Sequence, residues 1–320
     1  MKAAVYHRTG GPEVLQYEDV PDPELHPKGV LIRVEAISIE GGDTLNRLGG
    51  AMTSTPHIVG YQCGGTIIEI GDAVTDRQVG QRVVASMASG SHAELVSVPA
   101  DTTWPVPDGL DMTAAACVPI AFGTADDCLF EFGHLQPGET VLIQAGAGGV
   151  GLAAIQLAKR AGATVLATAS SAEKLERLAA YGLDHGINYR DGDFAAEARR
   201  LTDGRGVDLV LDSVGSTLPG SIASLAYRGR ISYVGNAGRD STPVDVSPLM
   251  GGCLSISGVF LGMELLMGTR ARDNITRLLG EIGGGELEVV IDRTFPLAHA
   301  ADAHAYMEDR RAFGRVVLVP

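Results

Sequence analysis

Only four cysteines occur in the 320 residues, Cys63, Cys117, Cys128 and Cys253, and no two of them form a CxxC pair. That scatter argues against a disulfide framework and against a structural zinc held by close ligand pairs, and it fits a reducing cytoplasm. No run of about 18 apolar residues is present, so no membrane span is expected. The opening stretch MKAAVYHRTGGPEVL lacks a sustained apolar core, so no signal peptide is expected. Basic residues are in deficit: 25 Lys and Arg stand against 39 Asp and Glu, for a formal net charge of -14. A broad nucleic-acid-binding surface does not fit that balance, whereas a local pocket for a phosphorylated cofactor does. An HExxH metal pair and a GxSxG nucleophile elbow are both missing.

What is present is apolar and periodic. Hydrophobic residues make up 45% and charged residues 20% of the chain, enough for a large core. At roughly 100–200 residues per domain, the length suggests two domains. Residues 1–115 read as β-rich: KAAVYH, GVLIRVEAISI, GGTIIEI, QRVVASM and HAELVSV are short β-branched or alternating runs. Gly, Pro and Asp clusters separate them, which predicts a sandwich or barrel. An Ala-rich helix follows, starting at Asp111 or Thr113. From residue 140 the period changes. TVLIQA, TVLATAS, HGINY, VDLVLDSVG, GRISYVG and LSISGVFLG read as strands, with helices between them. Such alternation predicts a parallel sheet with helices on both faces. The chain closes with a helix, the strand-like LEVVIDRTFPL, the helix AHAADAHAYMED and the strand GRVVLVP.

The first strand of that series runs into Gly146-x-Gly148-x-x-Gly151 and then an amphipathic helix. In this context the glycines allow a tight turn and close backbone approach, and the helix N-terminus offers N–H groups to a pyrophosphate. An NAD site usually ends its second strand with Asp or Glu, which accepts from the ribose 2′-hydroxyl. Here the second strand ends at Ser170 and Ser171, with Lys174 one helical turn later and Glu173 already inside the helix. Two hydroxyls and an ammonium suit a 2′-phosphate, so NADPH is the expected cofactor. Capping of the helix by Ser170 or Ser171 is compatible with that role.

Two glycine-rich stretches in the β-rich half, SIEGGDTLNR (38–47) and IVGYQCGG (58–65), carry polar side chains on apparent loops. A metal site, a proton-relay site or a tight turn are the alternatives for them.

The β-rich half followed by AGAGGVG, ASSAEKLERL, DHGINYRDGDF and a final GRVVLVP resembles the medium-chain dehydrogenase/reductase superfamily. Within it, the chain resembles the zinc-independent NADPH:quinone oxidoreductases, the zeta-crystallin-like branch, over nearly its whole length. The resemblance implies an α/β protein with a GroES-like catalytic domain (1–118 with 263–320) and a doubly wound Rossmann domain (119–262). Hydride would leave the nicotinamide in a cleft between them. It implies a homodimer, or sometimes a tetramer, formed through the strand LSISGVFLG. It also places cofactor residues. Thr124 would lie near the nicotinamide, Gly148, Gly149, Val150 and Gly151 at the pyrophosphate, and Ser170, Lys174 and Tyr189 at the 2′-phosphate. Val214 and Gly215, then Gly235 and Asn236, would pass the nicotinamide side, and Arg315 would reach the cofactor. Tyr189 also reads as a strand-end aromatic packing locally.

Zinc-dependent relatives carry Cys, then His and Glu, where this sequence has Glu40, Tyr61 and Gln62. Tyrosine and glutamine are poor zinc ligands, and residues 85–100 contain no cysteine for a structural site. Without a Lewis acid, the expected acceptors are already conjugated: quinones or α,β-unsaturated carbonyls. Typical quinone reductases have an asparagine at the Glu40 position and a tyrosine at Leu45, so the acceptor wall is altered. Tyr61, Glu40, Asp43 and Asn46 are the catalytic candidates, with Arg47 and Gln62 beside them. Asp43 reads equally as a loop or helix cap. Arg47 reads equally as a surface ion pair, worth ~0–1 kcal/mol. His299 and His304 read as surface residues flanking a helix, and Asp126 and Asp127 as solvated acids. The expected activity is an NADPH-dependent reductase. The alternatives are an enoyl-thioester or 2-alkenal reductase of the same fold, and a non-catalytic NADPH-binding protein.

Overall fold

Short alternating strands build the first half and buried parallel strands the second, in a computed structural model that describes residues 1–239 and 243–320. The chain divides into two compact units, residues 1–120 with 272–320, and residues 121–271.

In the first unit, Gly29–Ser38 is the organising strand. Val30, Ile32, Val34 and Ala36 point inward while Arg33 and Glu35 point out, the period-two pattern of a half-buried strand. It pairs antiparallel with Gln62–Ile70, with Leu95–Pro99 and with the C-terminal strand Arg315–Val319. Ile291–Pro296, Arg82–Ser86 and Thr103–Pro105 complete this seven-stranded sheet, and Gln16–Asp19, Lys2–Tyr6 and His57–Ile58 form a smaller one. The core is aliphatic: Ile32, Ile37, Ile67, Val83 and Leu318 are all fully enclosed. Each such side chain contributes roughly 1.5–3 kcal/mol on burial. The pairing of the last strand with Gly29–Ser38 sets Arg315 beside the Ser38–Glu40 turn.

The second unit carries six parallel strands: β1 (Thr140–Ile143), β2 (Thr164–Ala169), β3 (His185–Asn188), β4 (Val207–Asp212), β5 (Leu225–Tyr233) and β6 (Ser255–Gly258). Their order across the sheet is β3-β2-β1-β4-β5-β6. This is the doubly wound order whose strand C-termini carry the ligand. β1 is buried at every position, as expected of a central parallel strand covered on both faces. Leu142, Leu166, Val210 and Ile231 form its core.

Three differences from the sequence reading concern elements. LSISGVFLG holds a strand of only four residues, Ser255–Gly258, and the chain then turns into a helix, Leu261–Met267. SIEGGDTLNR, read as a loop, forms the helix Gly41–Gly49. The boundary expected at 262/263 lies at 271/272. Arg270 holds the intervening segment to the second unit through Asp127, at 2.6 Å, and braces it internally through Glu264, at 2.7 Å.

Candidate cofactor cradle and reaction site

In the second unit, the turn after β1 leads into the helix Gly149–Arg160, whose N-cap Gly148 supplies no side-chain cap. The first N–H groups of a helix have no partner within it, so here they are offered to an anion. Gly151 is required by packing: a Cβ there would lie 2.5 Å from the Ala145 carbonyl oxygen. Ser170 follows β2, and Ser171 caps the next helix by accepting from the Lys174 N–H at 3.3 Å. Tyr189 follows β3, the parallel neighbour of β2, and its N–H donates to the Ala169 carbonyl at 3.2 Å. Ser170, Ser171, Lys174 and Tyr189 therefore occupy two adjacent strand ends, and the nearby Glu173 is exposed on the helix. Val214 and Gly215 follow β4; Gly235 and Asn236 follow β5. The Asn236 side-chain oxygen is buried with no partner among the described residues. Thr124 is buried on the helix Val118–Asp126. This set fits a phosphorylated dinucleotide: an uncapped helix start, hydroxyls and a cation at the second strand end, and an unpartnered amide oxygen.

In the first unit the Ser38–Glu40 turn, the start of the strand Gln62–Ile70 and Arg315 converge. Arg315 is 5% exposed and Glu40 4%. The guanidinium donates to Ser38 Oγ, to the Ile39 carbonyl and to the Glu40 carboxylate, forming an ion pair. Gln62 Nε2 donates to the same carboxylate, and Gln62 Oε1 accepts from the Ile120 N–H at 3.0 Å. Burial pushes the Glu40 carboxyl above the usual carboxylate range, opposed by the Arg315 charge. The Arg315 Nε and Nη2 donors are engaged by the turn and by Glu40. Glu40, in turn, is buried as the partner of that charge.

Asp43, fully buried, accepts from the Glu40 N–H at 2.8 Å and so caps the helix Gly41–Gly49. Burial pushes its carboxyl well above the usual range; the bond from the Glu40 N–H opposes this, and the Glu40 charge adds to it. An acid whose pKa is raised by folding stabilises the fold below its unfolded pKa, and that contribution is lost as pH rises toward the folded value. Asp43→Asn keeps the accepting oxygen and removes the ionisation. Its melting temperature is expected to rise relative to the parent between pH ~4, the ordinary Asp value, and pH 8. Parallel curves across that range would refute the buried-acid assignment.

Tyr61 lies against the start of the same helix: a Cβ on Gly42 would sit 2.4 Å from its hydroxyl oxygen. The Gly42 backbone N–H on that side favours negative charge on the oxygen. Burial, with the Asp43 and Glu40 carboxylates, holds the phenol well above its usual range, so it stays protonated at neutral pH. Asn46 is on the exposed face of the helix. Arg47 is fully enclosed and paired with Glu308, a correction to the surface reading. His304 is likewise buried, with Nε2 3.0 Å from His92 Nε2, whereas His299 is exposed and bonded to Asp302. Burial lowers His92 to about 3 and keeps the pair neutral. Asp126 and Asp127 are buried too, Asp127 against Arg270.

The donor set does not fit zinc. Where three good ligands would be needed, the chain offers an ion-paired carboxylate, a protonated phenol and an amide. Among the described residues, no group of three or more His, Cys, Asp or Glu could hold a metal ion, and no helix is long and apolar enough to cross a membrane.

The alcohol dehydrogenase GroES-like domain family matches residues 26–108, and the zinc-binding dehydrogenase family matches residues 149–280. The chain is 34% identical to 2-haloacrylate reductase of a Burkholderia species, over 99% of this chain and 98% of that one. It is 35% identical to the quinone oxidoreductase of Pseudomonas aeruginosa, over 97% of each. Among solved structures, Escherichia coli quinone oxidoreductase complexed with NADPH superposes with a TM-score of 0.93 at 29% identity, covering 100% of both chains. The GroES-like unit, the doubly wound sheet and these full-length likenesses place the chain in the quinone oxidoreductase branch of the medium-chain dehydrogenase/reductase superfamily.

Proposed function

We propose that the protein is an NADPH-dependent reductase that delivers hydride to a conjugated acceptor, a quinone or an α,β-unsaturated carbonyl. One observation carries the reading: an uncapped helix start after β1 beside two strand ends that bear Ser170, Ser171, Lys174 and Tyr189 and no carboxylate. Bound NADPH would supply the hydride. The glycine loop would hold its pyrophosphate, and Ser170, Lys174 and Tyr189 its 2′-phosphate. Thr124, Val214, Gly215, Gly235 and Asn236 would orient the nicotinamide. The protein's share is positioning and stabilisation of the oxyanion that develops on the acceptor. Oxidation of NADPH with quinones, 2-alkenals and crotonyl thioesters tests the reading and separates the acceptor classes. No turnover with any acceptor, alongside tight NADPH binding, would instead indicate a binding protein. The two relatives, a 2-haloacrylate reductase and a quinone oxidoreductase, are both named for conjugated acceptors.

Cofactor preference gives a sharper test. A charge-assisted hydrogen bond is worth about 1.5–3 kcal/mol, so Lys174→Ala should weaken NADPH roughly 10- to 150-fold by titration and leave NADH nearly unchanged. Equal losses for both would remove Lys174 from the 2′-phosphate pocket.

The same proposal includes a homodimer in a cytoplasmic setting. β6 is the last strand of its sheet, and Tyr227, Met250, Phe260, Leu266 and Met267, all on or near the last two strands, are 70% or more exposed. An open edge flanked by such side chains suits pairing with a second copy. Light scattering should give twice the chain mass, and Phe260→Glu should shift it toward the monomer. A parent protein that is already monomeric would end the dimer assignment.

A further inference from the structure

We infer that Gln144, Thr168, Ser221 and Asp212 form a single buried hydrogen-bonded chain that ties the loop after β1 to the loop after β4, with Gln144 as a positioning residue for the dinucleotide. This rests on the NADPH reading above. The four side chains are 0–1% exposed and sit at or beyond the C-terminal ends of β1, β2 and β4 and on the helix Leu218–Ser224.

The bonds run in one direction. The Ala145 N–H donates to Thr168 Oγ1 at 3.1 Å. Thr168 Oγ1 donates to Gln144 Oε1 at 2.7 Å. Gln144 Nε2 donates to Ser221 Oγ at 3.3 Å. Ser221 Oγ donates to Asp212 Oδ2 at 2.7 Å. The sense is forced by chemistry. Each hydroxyl has one proton, and an ionised carboxylate only accepts. Ser221 must therefore give its proton to Asp212 and receive from the amide. Gln144 must then turn its carbonyl to Thr168. Leu or Met would break both links, and Glu would lack the donor for Ser221. A chain of this kind polarises toward the charge at its end.

Both ends hold candidate cofactor backbone. At one end, Thr168 fixes Ala145 by its hydroxyl and Gly146 by its carbonyl, which accepts from the Gly146 N–H at 2.8 Å. Ala145 adopts φ 54°, a left-handed conformation that a residue with a side chain rarely adopts without support. At the other end, Asp212 Oδ1 accepts from the Val214 and Gly215 N–H groups, each at 3.0 Å, and the carboxylate takes the Thr217 hydroxyl as well. The pyrophosphate turn and the nicotinamide-side turn are thus held by one set of bonds, although 60 or more residues of sequence lie between them.

The test separates coupling from local damage. In the cofactor-free protein, Thr168→Val should speed hydrogen exchange at the Val214 and Gly215 amides, which Thr168 does not touch. Thr168→Val and Ser221→Ala should each weaken NADPH by about 3- to 10-fold, the size of one net hydrogen bond. Both should change binding of 2′,5′-ADP, which spans only the adenosine side, by less. The double variant should lose no more than the worse single one, since either cut opens the same chain. Gln144→Leu should match them and Gln144→Glu should not restore binding. Faster exchange confined to Ala145 and Gly146, or losses that simply add, would overturn the inference. A parent protein that fails to bind NADPH would remove the proposed function, while the exchange result would still decide the chain. A variant that does not fold leaves the other two cuts to read the same bonds.

Discussion

Arg315→Met is expected to destabilise the first unit by about 3–5 kcal/mol, the cost of leaving one partner of a buried ion pair uncompensated. The variant keeps the length and the apolar stem. It leaves the Glu40 carboxylate, 4% exposed, with Gln62 and Ser38 as its remaining hydrogen-bond donors. The Ile39 carbonyl loses its donor as well. Arg315→Lys supplies charge without the fork that serves three acceptors, and should fall between. The decisive variant is Glu40→Leu with Arg315→Met. Replacing both ions with apolar side chains of similar volume is often neutral, so the double variant should recover most of the loss. Denaturant midpoints of the folded chain measure all three. A single variant within about 0.5 kcal/mol of the parent, the range of an ordinary surface change, would show that the pair carries no structural role.

How much of this was legible beforehand follows from where the partners lie in sequence. The cofactor half is local: a strand, a glycine turn, a helix and a strand-end hydroxyl all fall between residues 140 and 189, and each has its own periodicity or cap. The first unit is not. Arg315 meets Glu40 across 275 residues and His304 meets His92 across 212; in the second unit, Arg270 meets Asp127 across 143. A charged residue is normally solvated unless a partner waits for it, and a single sequence names no partner so far away. Asp126, Asp127 and His304 were therefore expected at the surface, as was Arg47 in one of its two readings, and all four lie inside. The helix Gly41–Gly49 contains three glycines, which disfavour a helix interior by ~1 kcal/mol each. The Asp43 cap and burial of Thr44 and Arg47 override that preference. The polar chain through Gln144 left one faint trace: a glutamine and a threonine in otherwise apolar parallel strands, where an unpartnered polar group would be costly.

Tyr61→Phe is expected to lower turnover by ~10–1,000-fold with little change in NADPH binding, the range for a lost general acid or oxyanion donor. The phenol oxygen lies against Gly42 at the start of the helix Gly41–Gly49. The hydroxyl has one proton to give. The positive end of the helix stabilises charge that develops on the oxygen as it donates. Burial and the two carboxylates hold the phenol well above its usual range, so it remains a donor throughout the neutral and mildly alkaline region. The Tyr61-dependent part of turnover should therefore show no alkaline decline below pH ~10, the ordinary tyrosine value. Gly42→Ala supplies the second reading. Its methyl would lie 2.4 Å from the hydroxyl oxygen, so the ring must move. Turnover should fall as it does for the phenylalanine variant, and combining the two should add little, because both remove the same placed hydroxyl. Undiminished turnover of Tyr61→Phe on every accepted substrate would leave the ring as packing in the space where relatives hold a metal ligand, and would return the proton source to water.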